Sequence, residues 1–349
     1  MTHPIPPGTR DVLPDEMVEL RRIENALHEV FSERGYGEVR TPTIEYDEVL
    51  ARGDVAGART AYRVIDEAGE LLALRSDMTV PIARLVGHRY ATETPPFRIH
   101  YIGNAFRAVR PQGGQMREFR QAGVELIGPD APGGTVEVIE VLAAALDAVG
   151  LDRAVIGLGD ADLFRQLLDQ LGVSDAARDR ILDRLVAHDL VAIEAEAGDL
   201  DGLADSDRAA IAALANLRGG AEVIERAGEI GGAAVETAIA RIAMTYEALE
   251  ERGVADRVQL DLGLLRDLGY YSGAILEVYD PALGHVLGGG GRYDGLLGRF
   301  GRDLPAAGFA LYLERLHIAQ SEENRLAEQR QPPGGAGASS SRAQSEPSR

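Results

Sequence analysis

The chain has 349 residues, a formal net charge of −20 and an apolar content of 45%, enough for one large domain or two of ordinary size. It contains no cysteine and no lysine, so all 36 basic side chains are arginine. Disulfides, zinc-thiolate sites, thiol nucleophiles, a P-loop lysine and a Schiff-base lysine are therefore excluded, and the acidic balance disfavours docking on nucleic acid. Any anion is held by arginine forks, backbone amides or helix ends. No run approaches the roughly 20 apolar residues of a membrane span. The opening MTHPIPPGTRDVLPDE lacks the basic and apolar regions of a signal peptide, so a cytoplasmic protein is the simplest expectation.

In chain order, Leu20, Ile23, Leu27, Val30 and Phe31 share one face of an amphipathic helix predicted over 16–34, which Gly35-Tyr36-Gly37 ends. A strand is expected from Glu38 to Tyr46, interrupted by Pro42, which cannot donate to a ladder and marks an edge or an interface. Residues 62–75 read as a hairpin turning at Glu67-Ala68-Gly69. The hairpin delivers Leu74-Arg75-Ser76-Asp77-Met78-Thr79 to a helix through Pro81, Ile82, Ala83 and Arg84. Asp77 taken alone is best read as the cap of that helix.

Residues 97–128 are the most arginine-focused stretch. Phe97, Ile99 and Tyr101 alternate as in a half-buried strand. Phe106-Arg107-Ala108-Val109-Arg110 leads into a glycine turn, and the return strand carries Arg117, Arg120, Gln121 and Glu125. Guanidiniums converging from such a hairpin suit a carboxylate or phosphate; a solvated charged ribbon is the plainer alternative. Glu125, between Val124 and Leu126, requires a buried partner or a ligand. An apolar helix over 135–150 and a short strand at Val155–Leu158 follow. From Asp160 to Arg252 the spacing of Leu163, Leu167 and Leu171, and of Ile239, Ile242 and Leu249, reads as an all-helical insertion. It holds a lone histidine, His188, of structural type.

Val258–Leu262 is a strand leading into Arg266–Leu296, RDLGYYSGAILEVYDPALGHVLGGGGRYDGL. Here an arginine precedes a tyrosine pair, then a strand-like run Ala274–Tyr279, four glycines and Arg292-Tyr293-Asp294. The glycines allow a tight hairpin, or a close approach of backbone to a ligand flanked by hydroxyls and a guanidinium. Pro305 to Leu316 reads as a glycine turn into a helix with Arg315 one turn inside, and the tail from Gln331 as disordered.

The order of these motifs resembles the catalytic core of class II aminoacyl-tRNA synthetases, specifically histidyl-tRNA synthetase. Pro42 matches the first motif, a dimer-interface element. Phe106-Arg107 with the returning strand matches the second, and Gly308-Phe309-Ala310-Leu311 through Glu314-Arg315-Leu316 the third. Arg266…Tyr270-Tyr271-Ser272-Gly273 and Gly290-Gly291-Arg292-Tyr293-Asp294-Gly295-Leu296 match the histidine signatures. The resemblance implies an α+β fold, an antiparallel sheet flanked by helices. Its core would span 1–319, interrupted by a helical insertion at about 160–255, with a disordered tail over 320–349. It places Asp77, Thr79 and Gln121 at the α-amino group of histidine and Glu125 and Tyr271 at the imidazole nitrogens. Arg266 falls near the carboxylate, with Tyr270, Gly291 and Tyr293 completing the pocket. Arg107 and Arg315 fall on the arginines that hold ATP phosphates.

The departures from the pattern shape the functional expectation. Val109 stands where active members have a glutamate that fixes the nucleotide, and Asp267 and Gly269 replace glycine and aspartate beside Arg266. An added carboxylate there repels a phosphate. The resemblance, with few residues following the third motif, also leads to the expectation that the roughly hundred-residue anticodon-binding domain is absent. The pattern then resembles the histidyl-tRNA synthetase paralogues that serve as regulatory subunits of ATP phosphoribosyltransferase. That family assembles with a short-form catalytic subunit at the first step of histidine biosynthesis, is required for activity and mediates feedback inhibition by histidine. The resemblance thus implies no catalysis, cofactor or metal. It also implies a histidine-binding subunit that self-associates through the class II interface and touches neither nucleic acid nor membrane. A truncated histidine-activating ligase and a free histidine sensor are the alternatives.

Overall fold

A computed structural model of the chain describes residues 4–53, 61–109, 116–266 and 269–330. The first helix, α1 (Pro14–Glu33), opens on a proline with Asp15 and Glu16 in its first turn, a start that suits the unpaired amides and dipole of a helix N-terminus. It ends at Gly35, whose φ of 81° is the left-handed conformation that terminates helices. The strand expected over 38–46 splits into β1 (Gly37–Glu38) and β2 (Ile44–Tyr46). Arg75 holds the crossover between them. Its Nη1 donates to the carbonyls of Thr41 (2.8 Å) and Pro42 (3.1 Å), and its Nε to that of Asn104 (2.7 Å). After α2 (Asp47–Ala51), the expected hairpin is β3 (Arg63–Ile65) and β4 (Leu71–Leu74), which with β2 makes a small sheet in the order β2-β4-β3.

The remaining elements are α3 (Thr79–Arg89), β5 (Phe97–Phe106), β6 (Glu118–Ile127), α4 (Gly133–Ala148), β7 (Val155–Asp160), α5 (Leu163–Gln170), α6 (Asp175–Val186), α7 (Leu190–Gly198), α8 (Asp205–Ala215), β8 (Arg218–Gly219), α9 (Glu222–Gly231), α10 (Glu236–Glu251), β9 (Val258–Asp261), β10 (Ala274–Tyr279), β11 (Val286–Arg292), β12 (Ala306–Tyr312) and α11 (Leu313–Arg330). Nine strands form one sheet in the order β1-β5-β6-β12-β11-β10-β7-β9-β8. Its pairings are antiparallel except β1 with β5 and β7 with β9. This is an α+β architecture, an antiparallel-dominated sheet flanked by helices, as the resemblance implies.

The period-2 alternation of the strands gives the sheet two different faces. Ala122, Val124 and Leu126 of β6 join Leu27 and Phe31 of α1 and Leu142 and Leu146 of α4 in one apolar cluster. On the other face Ile99, Tyr101 and Ile127 pack with Met78 and Ile82 near α3. The insertion is continuous with the first cluster through Leu163, Leu167, Ile239, Ile242 and Leu249. It is also pinned by Arg241, whose guanidinium donates to both oxygens of Asp160 at 2.9 and 2.7 Å.

Four expectations need correction. The insertion is not all helical, because β8 pairs with β9 at the sheet edge. The four glycines 288–291 lie inside β11, and Gly308 lies inside β12. Neither run is a turn, because strands packed this closely on both sides leave no space for side chains. At Gly308 an added Cβ would sit 2.0 Å from Glu125 Oε2 and 2.4 Å from the Val124 carbonyl. The fourth concerns the tail expected from 320. α11 continues to Arg330, with Leu316 and Ala319 buried against the core. Residues 331–349 lie outside the described residues. No helix among the described residues is long and apolar enough to cross a membrane.

Candidate functional site

One cavity gathers most of the residues singled out in the sequence. Asp77 and Thr79 reach it from the start of α3, Arg107 and Gln121 from the β5–β6 hairpin, and Arg266, Tyr270, Tyr271 and Tyr293 from the segments flanking β10 and β11. β12 supplies the floor with Gly308, Ala310 and Tyr312, alternate residues on one side of a strand. Glu125 lies directly under Gly308 and is 1% exposed. Thr79 Oγ1 donates to Glu125 Oε1 at 2.7 Å, and the Tyr293 hydroxyl donates to Oε2.

Two predicted residues have structural duties. Asp77 Oδ1 accepts the Val80 amide at 3.0 Å, capping α3 as its position suggests, while the side chain also borders the cavity. Gly291 lies behind Tyr271. With φ of 151°, it has a conformation side chains avoid, and a Cβ there would meet the Tyr271 ring at 3.0 Å. Arg315 does not line the cavity; it donates to the Val286 carbonyl and stacks 4.7 Å over the Tyr312 ring.

Burial and hydrogen bonding set the protonation of the site. Burial drives the Glu125 carboxyl up against the opposing hydrogen bonds from Tyr293 and Thr79, with Asp77 adding to the rise, to a pKa of about 8. Glu125 is therefore largely a neutral acid at pH 7, able to donate as well as accept. Burial pushes Tyr271 up to about 12 despite the nearby Arg266 guanidinium. Tyr312 goes the other way. Burial raises its phenol, but Arg107, Arg266 and Arg315 together outweigh that and bring it down to about 8.

Two polar atoms of the cavity residues stand buried without a hydrogen-bond partner: Gln121 Oε1 and Arg266 Nε. A buried orphan acceptor and an orphan donor are unfavourable to keep empty-handed, and such atoms mark ligand positions. An acceptor facing a guanidinium donor suits a zwitterion, ammonium toward Gln121 and carboxylate toward Arg266. The neutral Glu125 and the phenol of Tyr271 suit the two nitrogens of an imidazole. The free space between these side chains is only ≈20 Å³, about that of a single water, so a ligand of amino-acid size enters only as side chains turn aside.

Other sequence readings change. Arg107 lies over Phe119 at 4.9 Å on the cavity side, whereas Arg120, one residue off in the alternation, is on the opposite face with Glu24 and Asn104. Arg117 donates to the Val109 carbonyl at 2.9 Å. The expected convergence of arginines on one anion is thus split between two faces. Arg110 and Asp267 lie outside the described residues. His188 is not alone: its Nε2 is 3.6 Å from Glu277, whose other oxygen is 3.4 Å from Arg266. Arg292 and Asp294 pair with each other at 2.7 Å, and Arg292 also donates to the Thr135 hydroxyl and the Pro129 carbonyl. The sequence reading missed Tyr312, Tyr101 and Met78. Tyr312 was recoverable from the alternation Gly308, Ala310, Tyr312, once that run is taken as a strand.

With this geometry in hand, the chain can be compared with known proteins. The family model of histidyl-tRNA synthetase matches residues 8–316. A protein of Moorella thermoacetica named ATP phosphoribosyltransferase regulatory subunit is 41% identical over 320 residues, 91% of this chain and 82% of that protein. A crystal structure from Bacillus halodurans, described as an ATP phosphoribosyltransferase regulatory subunit/histidyl-tRNA synthetase, superimposes with a TM-score of 0.84 at 33% identity, covering 92% of this chain and 84% of the other. A histidine–tRNA ligase subunit from Alicyclobacillus acidocaldarius gives 0.81 at 30% identity, covering 93% and 99%.

Proposed function

Because the chain belongs to the histidyl-tRNA synthetase family and aligns over nine-tenths of its length with ATP phosphoribosyltransferase regulatory subunits, we propose that it is the non-catalytic regulatory subunit of an ATP phosphoribosyltransferase. It acts at the first step of histidine biosynthesis in the cytoplasm. It is required for the activity of a short-form catalytic subunit and carries feedback inhibition by histidine. It self-associates through the class II interface near Pro42.

The observation that carries the ligand assignment is the pair of orphan atoms, Gln121 Oε1 and Arg266 Nε, beside an acid poised near neutrality. Histidine satisfies both orphans at once, with Asp77, Thr79 and Gln121 around the ammonium, Arg266 at the carboxylate and Glu125 and Tyr271 on the ring. Tyr270, Gly291 and Tyr293 hold that wall in place. Because the free space between these side chains is small, histidine shifts the walls as it binds. A ligand that favours one arrangement over another couples the pocket to the catalytic partner, typically by ~1–3 kcal/mol. Glu277, shared by Arg266 and His188, gives such a shift a route into the insertion.

Val109 and the net charge of −20 support the non-catalytic reading. The competing ligase reading draws on Arg107, Arg266 and Arg315, which surround Tyr312 with positive charge. The test is reconstitution: the chain is mixed with a short-form catalytic subunit, and phosphoribosyl transfer is measured with and without histidine. Activation by the chain and inhibition by histidine that Glu125→Ala weakens without loss of assembly are the expected results. Histidine- and ATP-dependent pyrophosphate exchange by the chain alone would establish the ligase instead.

A further inference from the structure

On the far side of the sheet edge, away from the cavity, His28 of α1, Glu38 of β1 and His100 of β5 bring one ligating atom each within 4.8 Å of one another. His100 is 1% exposed, while the side chains of His28 and Glu38 are 49% and 50% exposed. The His100 ring is oriented from behind: its Nδ1 lies 2.9 Å from the Tyr36 carbonyl, which can only accept. That contact fixes the proton on Nδ1 and leaves the lone pair of Nε2 pointing outward. It points at His28 Nδ1, 3.1 Å away, and Glu38 Oε2 stands 3.9 Å from that same atom. Phe31 and His28 pack against the ring at 5.6 and 5.1 Å and hold its plane.

We propose that His28, Glu38 and His100 form a site for a divalent transition-metal ion, zinc in the first instance. Two nitrogens bound to one tetrahedral zinc at ~2.0–2.1 Å lie about 3.3 Å apart, close to the 3.1 Å already present. Glu38, half exposed, completes the set by turning its carboxylate inward. Two imidazoles and a carboxylate are a donor set zinc favours over calcium or magnesium. With three protein ligands, two of them at half-exposed positions, the fourth position remains for water. The ion ties α1, which packs on the back of the sheet, to the edge strand β1 and its neighbour β5. Nothing in the spacing of residues 28, 38 and 100 announces such a site.

The test uses the full chain, free of any tag and stripped of metal with a chelator. Zinc is titrated calorimetrically and by thermal unfolding, with Co²⁺ as a spectroscopic probe of coordination. One equivalent of zinc, a rise in Tm and a tetrahedral cobalt spectrum are expected. Glu38→Ala, at a half-exposed position, should keep the metal-free Tm, whereas His28→Ala, which removes a partner of buried His100, should lower it modestly; both should lose the zinc isotherm and the Tm rise. If the wild-type chain binds no zinc at micromolar concentration, or if both variants bind it as the wild type does, the proposal is overturned. In either case His28 and His100 share only a hydrogen bond.

Discussion

Glu125→Gln probes the pocket through its least favourably placed group. The carboxyl has an ordinary pKa of 4.5, raised in the folded chain to about 8. Below pH 4.5 folded and unfolded chains both hold the proton, and no ionisation difference exists. As pH rises above that, the unfolded chain releases the proton while the folded chain retains it, so the folded state loses ~1.4 kcal/mol per pH unit. The loss reaches ~3 kcal/mol at pH 7 and levels off near ~5 kcal/mol once pH passes the folded value. Glutamine is neutral throughout, and its amide can accept from one of the Thr79 and Tyr293 hydroxyls and donate to the other. The variant should match the wild type near pH 4.5 and exceed it by ~3 kcal/mol at pH 7. Its histidine affinity should fall about 10- to 100-fold through loss of an ionisable hydrogen-bond partner. Urea unfolding at half-unit steps from pH 4.5 to 8.5, with histidine calorimetry at pH 7, measures both. A stability difference that does not change with pH would refute the buried, proton-retaining Glu125 and the reasoning built on it.

Three further outcomes follow from the same geometry. Tyr312, brought to about 8 by its three arginines, should appear by ultraviolet absorbance as one tyrosinate titrating about two units below the ordinary phenol value, and should vanish in Tyr312→Phe; an unchanged titration would remove the arginine cluster. Gly308→Ala, whose Cβ would stand 2.0 Å from Glu125 Oε2, should abolish histidine binding and destabilise the chain by ~1–3 kcal/mol. A stable variant with full affinity would mean that β12 does not close over Glu125. Arg241→Ala strands Asp160, whose side chain is 1% exposed, and should lower unfolding stability by ~3–5 kcal/mol, whereas a loss under ~1 kcal/mol would show that the insertion does not depend on that pair.

Much of this site was legible because its residues break local rules. Glu125 between Val124 and Leu126, a tyrosine pair and four glycines all conflict with ordinary core composition. The strand Ala274–Tyr279 was read at its full length from its β-branched and aromatic run. The glycines themselves misled, because glycine serves both turns and close-packed strands, and only the pairing of β10, β11 and β12 decides between them. Arg120 was misassigned by a single step of strand alternation. His188 looked isolated because its partner Glu277 is 89 residues away in sequence, and no local pattern encodes a contact at that range.

The position of β12 also has a consequence for how the protein is made. It is inserted between β6 and β11, yet it leaves the ribosome roughly 180 residues after β6. At ~5–20 residues per second, the inner edge of β6, with Glu125 on it, therefore waits on the order of ten seconds or more without its neighbour. During that interval a hydrophobic strand edge is open to other chains. If the cavity holds histidine as proposed, the nascent chain cannot do so until Gly308 closes over Glu125. On the proposed assignment, amino-acid binding is a property acquired only at the last strand, and free histidine should slow the loss of β12 from the sheet rather than speed its docking.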